Sequence, residues 1–228
     1  PKLIVKKHVV NDNGGSKSAS NFTMTVSGNS QSVSNFAGDE NGTEVLLNEG
    51  SYSIDELDDS GYTKSLGENC SGNIAVGQTK TCVVTNNDIA PKLTLKKSVI
   101  NDNGGNNGAQ DWTLEAMPGA NNVGALALSG NGKDGVVKAV VVTNLGYALY
   151  ENYNSPSGYS PVGWSCDSGV LVGTTITLNA GDNVTCTVTN DDVAPSLVLN
   201  KIVKNDNGGK AAESSWTLTA TGTGDDPT

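Results

Sequence analysis

The stretch PKLIVKKHVVNDNGG occupies residues 1–15 and returns, little changed, as PKLTLKKSVINDNGG at residues 91–105. A third version, PSLVLNKIVKNDNGG, occupies residues 195–209. Each copy alternates apolar and polar residues, which is typical of a half-buried β-strand, and then reaches NDNGG, a strong turn signal. A repeat at this spacing predicts a tandem array of similar domains that all begin with the same strand.

A second shared phrase closes the first two repeats and sets their boundaries. TCVVTNNDIAP ends at Pro91, and TCTVTNDDVAP ends at Pro195. We therefore predict one repeat over residues 1–90, a second over 91–194 and a partial third over 195–228 that holds only the first strands. The partial repeat is too short to close a sandwich alone, so it is either cut short or completed by strands of another chain. The short connections favour a semi-rigid rod.

Turn residues punctuate each repeat at short intervals. Glycine accounts for 28 of the 228 residues, and segments such as NFTMTV (21–26) and GYALYE (146–151) alternate between turn signals. Nothing in the sequence shows a sustained helical period. About seven short strands per repeat predict an all-β fold of tandem β-sandwich domains joined by short linkers.

Charge and motif content exclude several classes of function. The formal net charge is −10, which disfavours binding to a nucleic-acid backbone. No stretch of the sequence is long and apolar enough to span a membrane. A single histidine, His8, cannot serve a catalytic triad, and the sequence contains no phosphate loop, HExxH motif or dinucleotide fingerprint. We predict a protein that is not an enzyme and requires no cofactor.

Two cysteines occur in each complete repeat, without the spacing of a zinc site. Their natural interpretation is one disulfide per repeat, and reduced buried thiols are the alternative. Disulfides indicate an extracellular or cell-surface location. The predicted pairs are Cys70 with Cys82 and Cys166 with Cys186.

One lysine keeps its place in all three copies of the first strand: Lys7, Lys97 and Lys201. Residues two apart in a strand share a face, so this lysine lies among the apolar residues of its strand. A buried ammonium group without a partner is unfavourable, so the lysine requires pairing or neutralisation. The same alternation provides one glutamate and one asparagine on apolar faces of each complete repeat: Glu56 and Asn86, then Glu151 and Asn190.

The phrases LTLKKSVINDNGG, YSIDELDDSGY and TCTVTNDD resemble the prealbumin-like, SpaA/CnaB-type repeats of bacterial surface, pilus and adhesin proteins. The resemblance covers essentially the whole chain and implies immunoglobulin-like, prealbumin-like sandwiches. It also implies an autocatalytic isopeptide bond between the first-strand lysine and the last-strand asparagine, promoted by the glutamate. A buried Lys–Glu ion pair hydrogen-bonded to asparagine is one alternative, and a surface lysine is another. The implied sets are Lys7, Glu56 and Asn86, and Lys97, Glu151 and Asn190.

Taken together, the repeats and the resemblance predict a structural subunit of an extracellular filament, pilus-like fibre or surface stalk. Its partners are other copies of itself joined head to tail, with strand complementation as one route. The alternative is an adhesin that binds a glycan or a host or neighbour-cell protein through loops of the second repeat. That repeat carries an insertion that includes residues 124–142, and an exposed apolar loop there would favour ligand binding or subunit contact.

Carboxylates gather where the NDNGG turns and the connections between repeats meet. Such oxygen-rich junctions suit Ca²⁺, which would stiffen the rod. Ordinary Asn-Gly and Asp-Gly turn chemistry is the alternative. The candidate ligands are Asp12, Asp88, Asp102, Asp191, Asp192 and Asp206.

Overall fold

A computed structural model of the chain describes residues 1–119, 126–151 and 156–222. These residues form two β-sandwiches in succession, followed by a segment without strands. This confirms the predicted all-β class with tandem sandwich domains. In the described part of the chain, helical structure is confined to single 3₁₀ turns, which lie at Ala19–Asn21, Ala109–Asp111 and Glu213–Ser215. No helix within the described ranges has the length and apolar character that crossing a membrane requires.

The first sandwich has eight strands, one more than the approximate count from the turn signals. They are β1 (Lys2–Val10), β2 (Thr23–Gly28), β3 (Asn35–Ala37), β4 (Thr43–Leu46), β5 (Gly50–Glu56), β6 (Tyr62–Leu66), β7 (Ser71–Ile74) and β8 (Thr79–Asp88). One sheet has the order β4-β1-β8-β6, and the other has the order β3-β2-β5-β7.

Among its described residues, the second sandwich repeats this plan and adds one short strand. Its strands are β9 (Lys92–Ile100), β10 (Thr113–Pro118), β11 (Leu128–Asn131), β12 (Val136–Val140), β13 (Gly146–Glu151), β14 (Tyr159–Cys166), β15 (Val170–Val172), β16 (Thr175–Thr177) and β17 (Asn183–Asp192). The sheets have the orders β12-β9-β17-β14 and β11-β10-β13-β16-β15. The additional strand is β15, which pairs with β16 at the edge of the second sheet.

The first and last strands of each sandwich lie side by side and run parallel. β1 pairs with β8 from Lys2 opposite Thr79 to Val10 opposite Asn87. β9 and β17 pair in the same way, whereas the other strand pairs of the described residues are antiparallel. Because the two strands point the same way, the chain enters each sandwich at one end and leaves it at the other.

Alternation along the strands buries one face of each sheet, and the two buried faces form the core. In β1 the buried residues are Leu3, Val5 and Lys7, as the period of two predicts. The first core is built by Leu3, Val5, Met24, Val26, Val45, Leu47, Tyr52, Ile54, Cys70, Ile74, Cys82 and Val84. The second is built by Leu93, Leu95, Leu114, Ala116, Val136, Val141, Tyr147, Leu149, Ile176, Leu178, Val184, Cys186 and Val188.

The described part of the insertion, residues 126–142, contains two strands, β11 and β12. β11 pairs with β10 as β3 does with β2, and β12 pairs with β9 as β4 does with β1. This stretch therefore supplies counterparts of strands in the first repeat, and Val136 packs into the core. Val137 and Val140 are exposed because they lie on the opposite face of β12. Residues 124 and 125 lie outside the described residues.

Residues 195–222 form no strand, although the sequence predicts the first strands of a third repeat there. The physical reason is the absence of partners. In the complete repeats, the first strand is held between the last strand and the fourth, and residues 195–228 contain no copy of either. The apolar side chains of Leu197, Leu199 and Ile202 consequently remain exposed.

Candidate functional site: a buried lysine, glutamate and asparagine

Lys7, Glu56 and Asn86 meet in the core of the first sandwich. They come from β1, β5 and β8, and their residues are 0%, 4% and 1% exposed. Lys7 Nζ lies 2.7 Å from Glu56 Oε2, and Asn86 Nδ2 donates a hydrogen bond of 2.5 Å to Glu56 Oε1. Glu56, from one sheet, therefore bridges two side chains of the facing sheet.

The second sandwich places an equivalent group at the same position. Lys97 Nζ lies 2.7 Å from Glu151 Oε1, and the side chains of these residues are 0% and 11% exposed. Asn190 is buried on β17 opposite Val99, as Asn86 is opposite Val9 on the parallel first strand. The amide oxygens of both asparagines lack a hydrogen-bond partner among the described residues.

An aromatic ring covers each buried lysine, and sequence reasoning missed it. Lys7 Nζ lies 4.7 Å from the centroid of the Phe22 ring, and Lys97 Nζ lies 4.6 Å from that of Trp112. Such a ring attracts the ammonium group while it excludes water. The sequence carried a signal for it, because the matching phrases NFT, DWT and SWT place an aromatic residue at the same position of all three repeats. In the third, Lys201 Nζ lies 4.9 Å from the Trp216 ring.

Burial changes the ionisation of both lysines. Desolvation by burial lowers the pKa of Lys7, although the hydrogen bond and charge of Glu56 oppose this effect. Burial likewise lowers the pKa of Lys97 against the opposing effect of Glu151. A lowered pKa makes the neutral amine more accessible, and the neutral amine is the nucleophilic form.

Disulfides join Cys70 to Cys82 and Cys166 to Cys186, but the two bonds are not equivalent. Cys70 immediately precedes β7, so the first bond connects the two facing sheets. Cys166 and Cys186 are directly opposite each other on β14 and β17, so the second bond crosses neighbouring strands of one sheet. Both bonds fasten the last strand of their sandwich. No free cysteine remains.

The sequence model of the prealbumin-like fold domain matches residues 1–89, 88–188 and 192–227, which is nearly the whole chain. The chain belongs to this family. Its two complete prealbumin-like repeats are therefore the sandwiches described above, and the match over residues 192–227 falls on the segment without strands. No curated protein matches the chain.

Solved structures with similar folds include a major pilin and a fragment of a pilus adhesin. The Bacillus anthracis TIE protein is 17% identical with a TM-score of 0.50, over 84% of this chain and 34% of that one. The major pilin T-13 of Streptococcus pyogenes is 12% identical with a TM-score of 0.39, over 84% and 96%. A C-terminal fragment of the Lactobacillus rhamnosus GG pilus adhesin SpaC is 12% identical with a TM-score of 0.39, over 87% and 100%. Identities this low show the fold alone.

The last-strand aspartates hold the NDNGG loops of the prealbumin-like repeats. The Asp88 carboxylate accepts hydrogen bonds from the backbone N–H groups of Asn13 (3.0 Å) and Gly15 (2.7 Å). Asp192 accepts the corresponding bonds from Asn103 (3.0 Å) and Gly105 (2.5 Å). These two carboxylates therefore organise the turns, a role that neither reading of the acidic residues anticipated.

A tyrosine from the shared SGY phrase completes each loop. Tyr62 donates a hydrogen bond of 2.7 Å to Asn11 Oδ1, and Tyr159 donates one of 2.5 Å to Asn101 Oδ1. The Phe22 and Tyr62 rings meet edge to face at 5.1 Å, as do those of Trp112 and Tyr159 at 5.3 Å. The repeated phrases thus recur together because they contact one another.

The structure brings only some of the predicted Ca²⁺ ligands together. Within the described ranges, the carboxylates of Asp102, Asp191 and Asp192 lie within 4.8 Å of one another. Asp12, Asp88 and Asp206 are not part of that group. Because Asp192 already accepts several backbone hydrogen bonds, a cation there would compete with the NDNGG loop. Calcium binding stays a prediction.

Acid is expected to release both NDNGG loops. Burial tends to raise the pKa of the Asp88 and Asp192 carboxyls, but hydrogen bonds from backbone N–H groups outweigh it and lower both below the ordinary value. The stabilisation is therefore complete above the ordinary aspartate pKa of about 3.9 and is lost as pH falls through the lower folded value.

The measurement is an NMR titration of the Gly15 and Gly105 amide signals in the full chain. Both signals should move in a single transition with its midpoint below about pH 3.9, while the amide signals of Val5 and Leu95 in the sheet cores stay in place. Gly15 and Gly105 signals that shift only when the core signals shift would contradict the prediction.

Proposed function

We propose that this chain is a structural element of an extracellular filament, pilus-like fibre or surface stalk, and that its repeats carry tension along their length. The observation that supports this most directly is the parallel pairing of first and last strands. Tension applied at the two ends pulls β1 and β8 past each other along their axes. All the hydrogen bonds of the β1–β8 ladder then resist together rather than opening one after another.

The buried Lys–Glu–Asn group lies where a covalent bond would relieve this ladder of load. We infer an isopeptide bond between Lys7 Nζ and Asn86 Cγ, and a second between Lys97 and Asn190. Force would then enter through residues 1–7, cross the bond and leave through residues 86–88. The intervening body of the sandwich would carry no load, so the fibre would not lengthen by unfolding.

The chemistry of bond formation uses only groups of the site. A proton passes from Lys7 Nζ to Glu56 Oε2 across 2.7 Å, which leaves a neutral amine and a neutral carboxylic acid. The amine nitrogen attacks Asn86 Cγ, and the new C–N bond replaces the Cγ–Nδ2 bond. Glu56 accepts the proton released by the attacking nitrogen as it gives its own to Nδ2, which leaves as ammonia. The reaction occurs once per repeat and is not enzymatic turnover.

Other features of the chain agree with a place outside the cell. Disulfides persist in oxidising surroundings, and both complete repeats carry one. We propose that copies of the chain associate head to tail, and that strands from another chain pair with the strandless segment of residues 195–222 and complete a third sandwich. An adhesin that displays these repeats as its stalk is the alternative.

Electron microscopy of native material, labelled with antibodies raised against residues 1–194, tests the proposed role. We expect antibody at regular intervals along extracellular fibres, because every subunit contributes two complete repeats. Label confined to the tips of fibres, or to isolated stalks in every growth condition, would replace the filament subunit with the adhesin. Label inside cells would contradict both.

A further inference from the structure

The two sandwiches touch through the NDNGG loop of the first. The carbonyl oxygen of Asn13 accepts a hydrogen bond from Thr143 N at 3.0 Å, and that of Gly14 accepts one from Asn144 Nδ2 at 3.4 Å. Beside the covalent connection, Gly181 N donates to the Ile89 carbonyl at 2.7 Å. These contacts hold the second sandwich against the end from which the chain leaves the first.

Asp88 gives the loop the shape that makes this contact. Asp88 is only 3% exposed, and its carboxylate accepts hydrogen bonds from the backbone N–H groups of Asn13 and Gly15. Asn13 Nδ2 also donates to the Asp88 carbonyl at 3.1 Å. The N–H groups of the loop therefore bond within the first sandwich. The carbonyl oxygens of Asn13 and Gly14 point outward and accept hydrogen bonds from the second sandwich.

Backbone approaches backbone at this junction, and glycines make the approach feasible. A Cβ atom at Gly14 would lie 2.9 Å from the Thr143 carbonyl oxygen, and one at Gly61 would lie 2.9 Å from the Ala180 carbonyl oxygen. A Cβ atom at Gly181 would clash with the Ser60 carbonyl oxygen. The contact therefore tolerates no added side chain on either surface without a shift of the sandwiches.

Each sandwich has an NDNGG loop at its exit end and a matching turn at its entry end. Among the described residues, only the loop of the first sandwich and the turn of the second contact each other. The loop of the second sandwich is held by Asp192 as the first is by Asp88, yet a Cβ atom at Gly104 would meet nothing within 4 Å. The turn of the first sandwich that corresponds to Asn179–Asp182 spans residues 75–78, and a Cβ atom at Gly77 would also meet nothing within 4 Å.

We propose that the carboxylate-held NDNGG loop is a docking surface between repeats and that Asp88 is its positioning residue. The partner that it fits is the entry-end turn of a following repeat of the same kind, as Thr143–Asn144 and Gly181 fit the first loop. The free loop of residues 103–105 is then the surface for the next such repeat. This inference does not depend on the isopeptide bonds or on the filament role.

Matched variants of the full chain test the proposal. Asp88→Asn and Asp192→Asn both place amide hydrogens against the backbone N–H groups of their own loops, so they disturb the two loops in the same way. Among the described residues, only the loop held by Asp88 contacts another sandwich. Spin labels on introduced cysteines at Ser53 and Ser165, both exposed, report the distance between sandwiches. We expect Asp88→Asn to lose the single narrow distance peak of the parent and Asp192→Asn to keep it.

A second pair of variants keeps the proposal testable if the aspartate variants do not fold. Gly181 and Gly77 have φ values of +79° and +78°, so alanine brings the same backbone strain to both. Only Gly181 faces the other sandwich, so Gly181→Ala should broaden the distance distribution and Gly77→Ala should not. Equal effects within each pair, or a narrow peak in all four variants, would overturn the proposal, because the covalent linker alone would then set the orientation.

Discussion

The purified chain will weigh less than its sequence by the mass of two ammonia molecules, because each Lys–Asn bond releases one. Glu56→Ala will retain the first ammonia, since the variant lacks the group that moves protons between Lys7 and Asn86. Glu151→Ala will retain the second. Asp55→Ala is the matched control, because Asp55 neighbours Glu56 on β5 with a side chain 60% exposed, and its mass deficit will equal that of the parent. Intact-mass spectrometry, with the disulfides reduced, makes the measurement.

The same variants will differ under force. Pulled by its two ends, the parent chain will show no extension from the body of either sandwich, whereas Glu56→Ala will release the residues between Lys7 and Asn86 apart from the loop that the disulfide closes. Single-molecule force spectroscopy under oxidising conditions separates the two. A parent chain of full sequence mass that extends like Glu56→Ala would show that the buried groups are ion pairs and that no covalent bond shields the sandwich.

A lysine left alone in the core will destabilise the first repeat strongly. We compare Glu56→Leu with the double variant Lys7→Met/Glu56→Leu, because neither can form the cross-link. The single variant keeps an ammonium group that is 0% exposed, and the double variant replaces it with an apolar side chain of similar length. The double variant should be more stable by about 3 kcal/mol in the free energy of unfolding, at the lower end of the effect of unpairing a buried charge.

The control for this comparison is Lys6→Met/Glu56→Leu. Lys6 adjoins Lys7 but points to the other face of β1, where it is only partly buried, so this variant should be no more stable than Glu56→Leu. Denaturant unfolding of the three chains gives the answer. Equal stability of the single variant and the Lys7→Met double variant would mean that water or another group satisfies the lysine.

Local pattern was enough to predict the class of fold and the faces of the key strands. Because the side-chain period of a strand is two, Lys7 had to share a face with Leu3 and Val5, and it does. The same rule turned Glu56 and Asn86 inward. The cysteines of each repeat could be paired because each complete repeat holds only two. All these inferences rest on neighbours along the chain, which sequence records directly.

Partners across the fold were beyond that local pattern. Nothing in the alternation of β1 states that its neighbour is β8, or that the two run parallel, because pairing is chosen by the packing of the whole sandwich. The inequivalence of the two disulfides has the same origin, since Cys70 lies beyond the end of β6 whereas Cys166 lies within β14. Residues 128–140 include β11 and β12 because partner strands, β10 and β9, were available to pair with them.

What the amino-acid sequence determined by itself, then, is a set of sandwiches with a lysine, a glutamate and an asparagine turned into each complete core. Only the tertiary structure decided what those residues and their neighbours contact. It showed that Asp88, one of the predicted calcium ligands, accepts hydrogen bonds from the NDNGG loop. It also placed that loop against Thr143 of the next sandwich. The reason is physical: side-chain direction follows from the backbone of one strand, whereas a contact depends on two segments that the fold alone brings together.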